Sequence, residues 1–79
     1  MSKIQYLNLS SSGIAFDPKT GDSFQLNETA YLIVSLMQQG WSTEEIAKKF
    51  SSTFKIPYEQ ALTEVIEFEV QLGVIGIAA

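Results

Sequence analysis

The sequence predicts an α+β domain, three short antiparallel strands at the N-terminus followed by three helices. Apolar residues partly alternate with polar ones up to Leu26 and recur at helical spacing from Asn27 onward. The segment Asp17-Pro18-Lys19-Thr20-Gly21-Asp22 has the composition of a hairpin loop. Helix-entry signals at Asn27 and Ser42, and a break at Pro57, divide the remainder into three.

The first strand is read in Ile4-Gln5-Tyr6-Leu7-Asn8-Leu9, rich in β-formers, and it closes on the turn cluster Ser10-Ser11-Ser12-Gly13. Ile14-Ala15-Phe16 follows, with Ile14 and Phe16 on one face. In the next loop Pro18 supplies the φ of the first central turn position, and Gly21 takes a left-handed conformation. Ser23-Phe24-Gln25-Leu26 alternates again and closes the hairpin.

Asn27 is an N-cap for a helix through Gln39, with Glu28 in the first turn where the helix dipole favours an anion. Its apolar positions are 30, 33, 34 and 37, and Gly40 is its stop. Ser42-Thr43-Glu44-Glu45 spells a capping box for a second helix through Ile46, Ala47 and Phe50 to about Phe54. Trp41, in the turn between, is expected to pack on the core or cover the turn. Pro57 suits the first position of a third helix running from about Tyr58 to Val74. Either Gly73 or Gly76 can end it, and Ile77-Ala78-Ala79 reads as a short apolar tail.

The length of 79 residues fits one domain, 1–79. A chain this short buries only about 60–65% of the surface its unfolded form exposes, so nearly every large apolar residue is needed for the core. No apolar run approaches the roughly 20 residues of a membrane span. The N-terminus lacks a signal-peptide core, so a cytoplasmic location is expected.

Cysteine and histidine are both absent. Disulfides and thiolate metal sites are excluded, and the commonest general base and metal ligand are missing. Neither a phosphate loop nor a metal-ligand spacing is present, and no cofactor or metal is expected. Glu44 and Glu45 read as capping residues. Glu59, Glu64, Glu67 and Glu69 read as a solvated helix face, with Glu69 on the rim of the core stripe. No catalytic residue is assigned, and the chain is expected not to be an enzyme. Net charge is −4, with five lysines, no arginine and nine acids. That balance argues against nucleic acid or an anionic membrane as partner.

The third helix carries more apolar surface than its packing needs. One stripe is Leu62, Val65, Phe68, Leu72 and Ile75. A second is Ile66, Val70 and Val74, rotated roughly 100° from Val65. A domain of this size can hardly bury both. The second stripe either packs on the N-terminal strand or forms an apolar groove for a partner. Three strands also leave two edges open. An open edge beside an apolar helix face is the geometry for strand addition by a peptide, unless Asp22 and Lys19 protect that edge.

The order of these signals resembles the PqqD-like family, the proteins named for pyrroloquinoline quinone biosynthesis protein D. The resemblance rests on Phe16-Asp17-Pro18, Gly21, Leu26-Asn27-Glu28-Thr29-Ala30, Ile33, Leu36, Gly40-Trp41-Ser42-Thr43-Glu44-Glu45-Ile46, Phe50, Phe54, Glu64-Val65, Phe68, Leu72 and Gly76-Ile77. It covers nearly the whole chain. It implies a winged helix-turn-helix-like fold and a recognition element, or peptide chaperone, for peptides that are ribosomally made and then modified, as in natural product biosynthesis.

Such proteins bind the leader segment of a precursor peptide as an added strand. They present it to a modifying enzyme such as a radical SAM protein, a protease or a cyclase. Carried over, the peptide-binding positions are Asp22, Ser23, Phe24, Gln25 and Leu26 on the third strand, with Thr63, Ile66, Glu67 and Val70 on the third helix. Two positions depart from the family pattern. Glu64 stands where Asp is usual. Glu69 stands where Leu is usual, which puts an acid near the groove or core rim and predicts an altered leader specificity. A winged-helix DNA-binding domain and a homodimeric structural subunit are the alternative readings.

Overall fold

The computed structural model describes residues 2–78. Three antiparallel strands, β2 (Asn8–Leu9), β3 (Ile14–Phe16) and β4 (Ser23–Gln25), form a sheet of order β2-β3-β4. Three helices follow: α1 (Glu28–Gln38), α2 (Thr43–Phe54) and α3 (Tyr58–Val74). A second, parallel pair joins β1 (Ser2–Lys3) to β5 (Ile77–Ala78), with Ser2 opposite Ile77.

The local signals act as their chemistry dictates. The Asn27 side chain accepts from the Ala30 N–H at 2.8 Å. The Ser42 N–H donates to Glu45 at 2.8 Å while the Glu45 N–H returns to Ser42 Oγ at 3.2 Å, a complete capping box. Gly40, at φ +87°, ends α1 with paired bonds from Gly40 N–H to the Met37 carbonyl and from Trp41 N–H to the Leu36 carbonyl. Of the two glycines offered as the stop of α3, Gly73 lies inside the helix and Gly76, at φ +90°, stands past its cap. Pro57 is the N-cap of α3 rather than its first helical residue.

The first strand differs from expectation. Ile4–Tyr6 is a 3₁₀ turn, and only Asn8–Leu9 pairs with β3. Ile4 and Leu7 explain it, for both are buried. In a continuous strand, residues three apart face opposite sides, so one of the two would meet solvent. A 3₁₀ turn brings positions i and i+3 onto one side, and the carbonyls of Ile4 and Leu7 accept from the Gln38 side chain at 3.0 and 2.8 Å.

The C-terminal segment is more than a tail. Ile77 is buried, and the parallel pairing to β1 ties the end of α3 to the start of the chain. The core gathers Ile4, Ile33, Val34, Ile46, Phe50 and Val65 between sheet and helices. Across the sheet, Leu9, Ala15 and Phe24 are in cross-strand register and turn inward. Ile14 and Phe16 share the opposite face and are exposed. Of the expected core stripe on α3, Val65 and Leu72 are buried and Leu62 and Phe68 partly so, whereas Ile75 is exposed; Ala61 is buried in addition. The second stripe is exposed throughout, Ile66 at 47%, Val70 at 62% and Val74 at 81%. Trp41 is exposed over the turn between α1 and α2.

Candidate functional site

β4 lies at the end of the strand order. Its register decides which backbone groups are free. Leu26 N–H donates to the Gly13 carbonyl and Asp17 N–H to the Asp22 carbonyl, both at 2.8 Å. Antiparallel hydrogen-bonded pairs alternate along the strands, so Ala15–Phe24 is the bonded pair between them. The N–H and C=O groups of Ser23 and Gln25 therefore point away from β3, toward the open edge. Lys19 does not guard that edge. Its ammonium sits 4.8 Å from the centre of the Tyr6 ring, which belongs to the turn leading into β2 at the far side of the sheet. Gln25 reaches back toward the Ser12 and Gly13 carbonyls at 3.5 Å, and the Asp22 N–H is held by Thr20 Oγ1 at 3.2 Å.

Beside this edge runs a groove with α3 as its second wall. One end is an apolar cavity of about 150 Å³ between Phe24 and Leu26 on one side and Phe68, Leu72 and Ile75 on the other. Phe68 and Gln71 also line an adjoining cavity of about 360 Å³, framed by Asn27, Thr29, Ala30, Glu64 and Glu67. The two cavities share Phe68 and Gln71, the first lying toward the C-terminal end of α3 and the second at the entry of α1 with Ile33 and Phe50 in its wall.

Asp22, Ser23, Phe24, Gln25 and Leu26 are contiguous at the edge, and Phe24 and Leu26 supply groove wall. Of the four α3 positions, Glu67 lines the groove. The others lie further round the helix. Each residue advances the helix by about 100°, so from Gln71 the offset is about 40° to Glu67, 80° to Thr63, 100° to Val70 and 140° to Ile66, all in one direction. Thr63, Ile66 and Val70 are exposed, and the Thr63 hydroxyl donates to the Glu59 carbonyl at 3.0 Å.

Five residues of the α3 wall were not read as site residues in the sequence: Glu64, Phe68, Gln71, Leu72 and Ile75. Glu69 is placed elsewhere than at the groove. It accepts from Thr43 Oγ1 at 2.8 Å on the face toward α2, so this acid does not border the groove.

At the α2 entry, the Ser42 backbone N–H and then the Ser42 side chain hold the Glu45 carboxyl below the usual glutamate range. Among the described residues, no group of three or more His, Cys, Asp or Glu is placed to hold a metal ion. No helix there is long and apolar enough to cross a membrane. What the groove offers is an unpaired strand edge, an apolar cavity and two carboxylates.

The family model described as coenzyme PQQ synthesis protein D (PqqD) matches residues 12–76, a span containing β3, β4, all three helices and all of the groove lining except Leu7 and Ile77. No curated protein and no solved structure matches the chain.

Proposed function

The chain belongs to the family of coenzyme PQQ synthesis protein D (PqqD), and from that premise we propose that it binds the leader segment of a ribosomally made precursor peptide and presents it to a modifying enzyme. The family is one of partner-binding accessory proteins in PQQ biosynthesis. The observation that carries the reading is the outward-facing backbone of Ser23 and Gln25 beside the cavity lined by Phe24, Leu26, Phe68 and Ile75. A peptide added there extends the sheet through main-chain hydrogen bonds, and its alternate side chains enter the groove. Residues 22–26 form the strand wall in this reading. Glu67 stands on the opposite rim, and the peptide's outer flank passes over Thr63 and Val70 toward Ile66. The partner enzyme is of the radical SAM, protease or cyclase kind.

Titrating the labelled chain with the leader peptide encoded beside its gene tests this. Amide signals of residues 22–26 and of the groove face of α3 shift on binding. A saturating titration that leaves both segments unmoved refutes it. The exposed Ile66, Val70 and Val74 row gives little support to a homodimer through that face, because α3 carries four glutamates and no lysine or arginine. Pairing two such helices would set like charge against like.

A further inference from the structure

The two ends of the groove differ in chemistry. At the Ile75 end, Phe24, Leu26, Val34, Leu72 and Ile77 complete apolar walls around about 150 Å³. That is close to the size at which an apolar protein cavity holds one benzene-sized ring, about 150 Å³. At the other end, Ile33 and Phe50 share the wall of the wider space with Asn27, Thr29, Glu64 and Glu67. Glu64 and Glu67 are exposed, and neither carboxylate has a hydrogen-bond or ion-pair partner among the described residues. No basic residue on α3 offsets them.

We propose that the groove reads the polarity of its peptide, taking an aromatic or aliphatic residue at the Ile75 end and a lysine or arginine at the Glu64/Glu67 end. The inference rests on the peptide-binding reading above and adds a specificity to it. The spacing follows from the two geometries. Gln71 and Ile75 lie four and eight residues from Glu67, roughly 6 and 12 Å along the helix axis. An extended peptide advances about 3.3 Å per residue and turns every second side chain to one side. The basic residue therefore stands two or four positions from the apolar one. An exposed ion pair shifts affinity only about 1.4- to fivefold. The acidic end thus ranks peptides against one another, while the strand edge and apolar cavity supply most of the affinity. Salt weakens the ranking.

Panning a display library of random dodecapeptides at low ionic strength, against the full chain and against the Glu64→Gln/Glu67→Gln double variant, tests this. Both substituted positions are exposed, and a native amide spectrum confirms that the variant is folded. The natural sequence should enrich an apolar residue with Lys or Arg two or four positions away. The double variant should keep the apolar enrichment and lose the basic one. Apolar enrichment without a basic preference, or a basic preference that survives in the double variant, overturns the polarity inference and leaves peptide binding standing. If the folded natural sequence enriches nothing, peptide binding itself falls, and the inference with it.

Discussion

Thr43 Oγ1 donates to Glu69 Oε1 at 2.8 Å, tying the first residue of α2 to the middle of α3. The pair is part-buried and lies on the face of α3 turned away from the groove. Replacing Glu69 with Ala removes a charge-assisted acceptor and costs about 1.5 kcal/mol of stability, read from the urea midpoint. Peptide affinity should be unchanged, because the groove wall is untouched. A variant with native stability and altered peptide affinity would instead place Glu69 at the binding site.

Gln25→Pro separates the strand edge from the cavity. The N–H removed points away from β3, and proline is tolerated on an edge strand where no ladder bond is lost. The fold should survive with its amide spectrum outside β4 largely intact, while peptide binding weakens at least tenfold. Peptide affinity equal to that of the natural sequence would mean that the edge is not used.

Gln38 closes the turn that replaces the expected first strand. Its amide nitrogen serves two carbonyls, Ile4 and Leu7. Gln38→Ala leaves both without that donor in a part-buried setting and should cost about 1–3 kcal/mol. Hydrogen exchange at Leu7, whose N–H bonds to the Ile4 carbonyl at 3.3 Å, should accelerate more than exchange in α2. Uniform acceleration would show that the turn has no separate stability.

The capping box gives α2 a pH dependence of known sign. Glu45's folded-state value is depressed by the Ser42 backbone N–H and then by the Ser42 side chain. A depressed carboxyl contributes stability above its unfolded value of about 4.3, and the contribution is lost as pH falls through the lower folded value. Glu45→Gln keeps a box-competent side chain without the charge. Its stability should fall less than that of the natural sequence between neutral pH and about pH 3. Identical losses in the two proteins would show that the carboxylate is not the group responsible.

Much of the fold was legible because its signals are short-range. Asn27, Ser42, Glu45, Gly21 and Gly40 act on backbone groups within about four residues, so their chemistry is complete in the local sequence. The groove was only partly legible. The sequence showed that α3 carries two apolar lines, and that the domain could not bury both. It did not show how α3 is rotated, because helical periodicity fixes the angle between residues and not the angle to a neighbouring sheet. Packing of Ala61, Val65 and Leu72 on the core sets that rotation, and it brings Phe68 and Gln71 to the groove with Glu67 at the rim.

By itself the sequence determined the order of the three sheet strands and three helices, the caps, the hairpin loop, the surplus of apolar surface on α3 and an acidic surface poor in nucleic-acid chemistry. Tertiary structure alone decided three things. Ala15 and Phe24 face inward while Ile14 and Phe16 face out, because the packing of the sheet on the helices, and not alternation, chooses the buried side. Ile4 and Leu7 fold into a turn, because both must reach one core. Ile77 joins the chain's beginning as β5, a pairing between residues about seventy-five positions apart that no local signal encodes, since its stabilisation comes only when the helices between have already packed.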